Sequence, residues 1–299
     1  MFLGLALALM LLNGQASDKS DLDSISAKKL KKIVSGDHRS PEAKSRDQYR
    51  HPLETLMWFG LREDMTVVEL FPGSGWYTEL IAPYVREKGL YYGAGFDADS
   101  SVRFFSESAK RFKQKLAAEP AHYDKAIVTE LSPPNKLVAA PPNSADKVFT
   151  FRNVHNWMKG GYSDEIFTAM YKVLKPGGIM GLVEHRQNPQ VAQDLKAKDG
   201  YVNENYVIAL AQKAGFELID RSEINANLND SKDYEAGVWS LPPTLRLKEK
   251  DRDRYLAIGE SDRMTLKFKK PLNTNASSLP TAEEIVANCD QKYIGHDQR

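Results

Sequence analysis

Cysteine is almost missing from this chain: Cys289 is the only one. No disulfide can close within the chain, and no Cys/His cluster has the spacing of a structural zinc site, so neither a disulfide framework nor a zinc module holds it together. Charge of one sign is missing too. The 41 Lys and Arg balance 40 Asp and Glu to a net +1, which leaves no global field to draw in phosphate backbones or anionic lipid, and nucleic acid is not an expected partner. No internal repeat is visible. The apolar run Phe2 to Leu12 is too short to span a bilayer, so no stable membrane span is expected in the mature chain.

That run is followed by Gly14 and Ala16, small residues where a signal peptidase cuts. Residues 1–16 therefore read as a signal peptide, and the chain as periplasmic or secreted. No Lys or Arg precedes the run. An unprocessed, buried N-terminal helix or an anchor, with a cytoplasmic chain, is the other reading. Residues 17–50 are rich in Lys, Asp and Ser, with Lys28, Lys29, Lys31 and Lys32 clustered, and read as an exposed polar arm.

With 41% hydrophobic and 27% charged residues in 299, the rest of the chain has the balance of one large globular domain. From His51 on, helical and strand patterns alternate, as βαβ units on a largely parallel sheet require. Thr66 to Leu70 is a continuous apolar run suited to a strand buried on both faces. A helix is predicted over Trp76 to Glu87, a strand over Leu90 to Phe96, a helix over Ser101 to Ala118 and a strand over Ala126 to Thr129. After a proline-rich loop come a strand over Asp146 to Phe151, a helix over Asp164 to Leu174 and a strand over Ile179 to Glu184. The turn Lys175-Pro176-Gly177-Gly178 precedes that last strand, with Pro and Gly where a type II turn needs them.

Between the first strand and its helix lies Glu69-Leu70-Phe71-Pro72-Gly73-Ser74-Gly75. Glycines there let the backbone approach a ligand, and the helix start offers unpaired N–H groups. The loop lacks the Lys-Ser/Thr of a P-loop and the third glycine of a dinucleotide fingerprint. Asp97 ends the second strand, 22 residues beyond Gly75. That separation suits a carboxylate that accepts both hydroxyls of a ribose; Asp99, close behind, reads better as a helix cap.

These residues resemble the class I S-adenosylmethionine-dependent methyltransferases over about His51 to Pro271. Glu69, Gly73 and Gly75 match the family's first motif, in which Phe71 stands in place of a glycine, and Asp97 matches its ribose acid. Asp146 to His155 is similar to the family's fourth strand and the residues just beyond that strand. Lys175 to Gly178 resembles its turn before strand five, Ala214 to Ile219 its strand six and Met264 to Phe268 its antiparallel strand seven. Phe71 to Thr78 and Arg152 to Trp157 resemble, more narrowly, a little-characterised bacterial branch of predicted methyltransferases. The resemblance implies a Rossmann-like doubly wound, mostly parallel seven-stranded sheet with an antiparallel last strand. It also implies S-adenosyl-L-methionine as cofactor and a small-molecule methyl acceptor as partner.

Ligands in doubly wound sheets bind beyond the carboxyl ends of the strands. Candidate cofactor contacts are accordingly Glu69 for the methionyl amino group, Pro72, Gly73, Gly75, Tyr77, Asp97 for the ribose, Glu130 beside the adenine or as a plain surface acid, and Asn153. No metal is needed. If the acceptor must lose a proton, His155 is the best-placed base, with His185 and Glu184 next; His155 as a wall behind the methionine portion is the competing reading. Tyr77, Trp76 and Trp157 are candidate acceptor-pocket aromatics. Arg152 fits either a ligand carboxylate or a structural ion pair. The long excursion 225–260 is a candidate lid, and 272–299 a tail with a short helix at Ala282 to Asn288. Two other functions stand beside the methyltransferase: an exported, non-catalytic binder of an adenosine cofactor, and a nicotinamide-dependent oxidoreductase.

Overall fold

The computed structural model describes residues 26–272. The leader 1–16 and the tail helix expected at Ala282 to Asn288 lie outside the described residues. Among those described, no helix is long and apolar enough to cross a membrane.

A seven-stranded sheet runs in the order β3-β2-β1-β4-β5-β7-β6. Its strands are β1 (Thr66–Leu70), β2 (Leu90–Gly95), β3 (Ile127–Glu130), β4 (Ala145–Phe151), β5 (Leu174–His185), β6 (Glu217–Ser222) and β7 (Arg263–Lys269). All neighbours from β3 through β5 are parallel, and β7 lies antiparallel between β5 and β6. This is the doubly wound, mostly parallel sheet with an antiparallel last strand that the sequence implied. The chain order reverses between β1 and β4, the switch point where such sheets bind ligands.

The period of two along the strands divides the core into two layers. Val67, Phe149 and Val183 face one side, where they pack with Leu56 of α4 (Pro52–Trp58) and with Leu80 and Ile81 of α5 (Thr78–Val85). Val68, Val148, Met180 and Leu182 face the other, against Trp157 of α8 (Val154–Gly160), Met170 of α9 (Ser163–Val173) and Val207 of α10 (Glu204–Lys213). Strands buried on both faces favour apolar residues in succession, which is why Val67, Val68 and Leu70 mark β1 in the sequence.

Two expectations need correction. The fifth strand was expected from Ile179, after the turn Lys175 to Gly178, but β5 already starts at Leu174, with a register shift between the Ala145 and Lys147 pairings. Gly177 has the positive φ of 80° that a Pro-Gly turn asks for, yet its N–H donates to the Lys270 carbonyl at 2.8 Å while Lys270 N–H donates to Gly178 at 2.9 Å. Pairing with the end of β7 draws the turn into the sheet as a bulge. The polar arm is also not exposed throughout. Leu30, in a helical run over residues 26–34 (α1), is fully buried. Helices α2 (Pro41–Ser45) and α3 (Asp47–Arg50) follow, and Trp76 Nε1 donates to the Ala43 carbonyl at 3.0 Å. The arm's few apolar residues find a partner surface that composition alone does not reveal.

Candidate functional site

The carboxyl ends of β1 and β4 open into a cavity of about 220 Å³. Glu69, Pro72, Gly73, Tyr77, Asn153, His155 and His185 all line it. Of the remaining expected site residues, Gly75, Asp97, Glu130 and Glu184 do not.

Beyond Leu70 the backbone turns through Phe71 (φ 47°), Gly73 (φ 61°) and Gly75 (φ 79°). Left-handed φ costs a side-chain-bearing residue strain, so Phe71 takes up a glycine's geometry at a price. Its N–H donates to the Ala94 carbonyl at 2.7 Å, and its ring packs on Phe96 at 5.1 Å and Trp157 at 5.9 Å. A Cβ placed on Gly73 would meet no atom within 4 Å, whereas one on Gly75 would stand 3.3 Å from Phe112 of α6 (Arg103–Ala118). Gly73 leaves bare backbone at the cavity, and Gly75 lets α6 come close.

Glu69 is buried beneath this loop. Tyr91 and Thr78 donate their hydroxyls to one carboxylate oxygen at 2.7 and 2.8 Å. Burial pushes its carboxyl up to about 7, against the pull of those two hydrogen bonds. Tyr77 stacks on Phe151 at 3.4 Å between centroids. Asn153 donates to the Leu70 carbonyl at 3.1 Å and ties the end of β4 to the end of β1.

Asp97 and Glu130, at the ends of β2 and β3, are joined by Lys136, whose Nζ lies 2.8 Å from one and 2.6 Å from the other. Lys136, then the Asp99 N–H, holds the Asp97 carboxyl below the usual range. A shallow depression lined by Gly95, Phe96 and Phe112 shares Phe71, Pro72 and Gly73 with the main cavity and runs toward this side of the sheet.

His155 and His185 sit at the other end. His155 Nδ1 is 3.0 Å from Glu184 Oε1, and the backbone N–H of His155 donates to Oε2 at 3.3 Å. The His185 N–H donates to Oε1 at 2.8 Å. Glu184 itself is fully buried, so it orients His155 from behind rather than facing the cavity. With Nδ1 on the carboxylate, Nε2 of His155 is left as the lone-pair nitrogen. His185 pairs through Nδ1 with the Ser261 hydroxyl, and burial, then His155 and Arg152, pushes its imidazole well below the ordinary value. Donor atoms of His155, Glu184 and His185 lie within 4.8 Å of one another, a spacing compatible with a metal ion; the hydrogen bonds to Glu184 already account for much of it.

The rest of the wall joins segments distant in sequence, of which only the 225–260 excursion was expected at the site. Arg46 and Arg50 enter from the N-terminal segment, Ser261 and Arg263 from the start of β7, and Trp239, Pro242 and Pro243 from the 225–260 excursion. That excursion carries a 3₁₀ turn (Gly237–Ser240), α11 (Arg252–Ile258) and a small core of Tyr234, Leu241 and Tyr255. Trp239 stands 6.1 Å from the His155 ring. Trp157, expected near an acceptor, is 1% exposed and packs into the core against Phe71 and Phe167; Trp76 does line the cavity. For the arginines the sequence held only the four-residue spacing of Arg46 and Arg50, which an ordinary surface helix shows as well.

No family model and no curated protein matches the sequence. Among solved structures, the chain is similar to a SAM-dependent methyltransferase from Aquifex aeolicus, with a TM-score of 0.51 and 18% identity over 82% of this chain and 98% of that one. The chain has the class I methyltransferase fold. A second similar structure is the [4+2]-cyclase SpnF, with a TM-score of 0.51 and 15% identity over 80% of this chain and 86% of that one. At such identities the likeness is one of fold, and the methyltransferase fold hosts more than one chemistry; function has to be argued from the cavity.

Proposed function

We propose that this chain is an S-adenosyl-L-methionine-dependent methyltransferase acting on a small-molecule acceptor. The observation that carries the reading is the convergence on one cavity of a backbone-bare loop at Gly73, a buried acid at Glu69 and a histidine braced by a buried carboxylate. The residues fit the cofactor. Glu69 suits a cationic amino group, Asp97 suits the ribose hydroxyls, the Gly73 backbone admits close approach, and Tyr77 offers an aromatic ring to a positive sulfonium. Glu130 borders the adenine side, and Asn153 keeps the two strand ends in register.

Bound there, the cofactor supplies a methyl group activated by its sulfonium. The chain's own contribution is alignment and exclusion of water, because an in-line displacement gains most from a fixed approach and a desolvated nucleophile. Nε2 of His155 takes the proton of an acceptor hydroxyl, amine or acidic carbon. Glu184 then offsets the imidazolium charge through Nδ1. His185, held neutral, adds no competing charge and is positioned by Ser261. The 225–260 excursion walls the acceptor side through Trp239 and Pro242.

Calorimetric titration with S-adenosylhomocysteine tests the reading directly. One-site binding is expected. A protein that takes up no adenosine-containing ligand, or that selects a nicotinamide dinucleotide, overturns it.

A further inference from the structure

We propose that the methyl acceptor is an anion, and that its carboxylate or phosphate group is gripped by Arg46, Arg50, Arg152 and Arg263 beside His155. This rests on the methyltransferase reading of the same cavity and names the substrate class it takes.

Four guanidinium groups line the cavity, and Glu69 is the one acid that lines it with them. Glu69 is already tied to Tyr91 and Thr78. Behind the arginines stands a single carboxylate, Glu260, only 2% exposed. It is shared by three of them: Arg46 and Arg50 through their Nε atoms and Arg263 through Nη2. Arg152 has no ion pair or side-chain hydrogen bond among the described residues. An uncompensated buried charge is costly, and one carboxylate cannot offset four guanidinium groups. This cluster leaves a surplus of positive charge facing the cavity.

The hydrogen bonds agree. Arg46 Nη2, Arg50 Nη2 and Arg263 Nε are buried without any acceptor. Arg50 and Arg263 are 1% and 3% exposed on their side chains, and buried donors are rarely left unpaired in a folded protein. The guanidinium of Arg50 is fixed 4.6 Å over the Trp76 ring, so it is preorganised rather than free to find water. Burial, then the charge of Arg263, brings Arg152 down to about 10; burial, then Arg152, brings Arg50 well below its ordinary value. The groups repel one another, and Glu260 offsets only part of their charge. The planar fork of arginine matches the paired oxygens of carboxylate and phosphate, and several forks around one point make a built oxyanion site. The amino-acid portion of the cofactor brings one carboxylate and one ammonium, which leaves most of the surplus for the acceptor.

The test uses the protein saturated with S-adenosylhomocysteine in chloride buffer, titrated by calorimetry with inorganic phosphate and, separately, with malonate. One-site anion binding and a rise in melting temperature are expected with the adenosyl ligand already bound. Whichever probe binds tighter distinguishes a phosphorylated from a carboxylated acceptor. Arg152→Met should weaken the anion by about tenfold or more, leave S-adenosylhomocysteine affinity within about twofold, and raise the melting temperature of the empty protein by relieving repulsion. Arg152→Lys should retain part of the anion affinity. The proposal is overturned if the saturated protein binds neither anion, if the anion displaces S-adenosylhomocysteine, or if Arg152→Met binds it unchanged. Failure of S-adenosylhomocysteine itself to bind sinks the methyltransferase reading instead, a result plainly different from loss of the anion alone.

Discussion

His155 is held at two points by one buried side chain: its Nδ1 and its own backbone N–H both meet the carboxylate of Glu184, at 3.0 and 3.3 Å. The ring is thereby fixed in both tautomer and direction, with Nε2 left to accept a proton. Replacing it by Asn keeps a hydrogen-bonding group to face Glu184 but removes the titratable nitrogen. His155→Asn is expected to lower the methyl-transfer rate by about 10²–10⁴-fold with little change in cofactor affinity. A variant that loses cofactor affinity and keeps its rate at saturation would make His155 a binding wall. Single-turnover measurement with an accepted substrate separates the two.

Asp97 meets Lys136 at 2.8 Å in the free protein, so the ribose hydroxyls would share or displace an ion pair that is already formed. Asp97→Ala is expected to weaken cofactor binding through loss of a charged acceptor. Glu130→Ala, which removes the other acid on the same lysine, should change affinity far less. Equal losses in calorimetric titrations of the two variants would place the ribose elsewhere.

Glu69 gives the site a pH dependence whose sign is fixed by burial. Its carboxyl titrates at about 7 in the folded protein against an ordinary 4.5. Between these values the folded state binds more protons than the unfolded chain, so the contribution to stability is full below about pH 4.5 and is lost as pH rises through about 7, by about 3 kcal/mol in all. The melting temperature of the empty protein should fall more steeply from about pH 5 to about pH 8 in the wild type than in Glu69→Gln. An ammonium group placed beside Glu69 favours the ionised form, so cofactor affinity should rise over the same range, and the Gln variant should flatten that rise. A pH-independent difference between the two proteins would remove Glu69 from the amino-group site.

The central strands β1 and β4 were legible because burial on both faces favours apolar residues in succession. Thr66 to Leu70 is the same in pattern and in structure, and the other strands shift by a few residues at their ends. The loop after β1 was legible for a related reason, since Glu69 and Gly73, which line the cavity, sit at a strand end, and strand ends are countable. The arginine cluster was legible only at Arg152, which follows the fourth strand. Arg46, Arg50 and Arg263 come from segments up to 217 residues apart, and only tertiary packing around Glu260 brings them together. Buried charge has no period, so no window of sequence shows it. The arm failed in the same way, because Leu30 among lysines looks like a solvated face until its partner surface is in place.

Phe71 carries the last prediction, because two opposed effects meet in one residue. Its left-handed φ of 47° would be relieved by glycine, a gain of about 1–3 kcal/mol. Its ring, 8% exposed and packed on Phe96 and Trp157, would be lost, at about 3–5 kcal/mol for a buried phenylalanine cut back to a small residue. Glycine also adds backbone entropy to the unfolded chain. The packing loss wins, so Phe71→Gly should be destabilised by about 1–3 kcal/mol, while Phe71→Ala, which keeps the strain and loses the ring, should be worse. Denaturant unfolding of the three proteins decides it. If Phe71→Gly proves as stable as the wild type, the aromatic contacts contribute little and the loop is held by the Phe71 N–H on Ala94 alone.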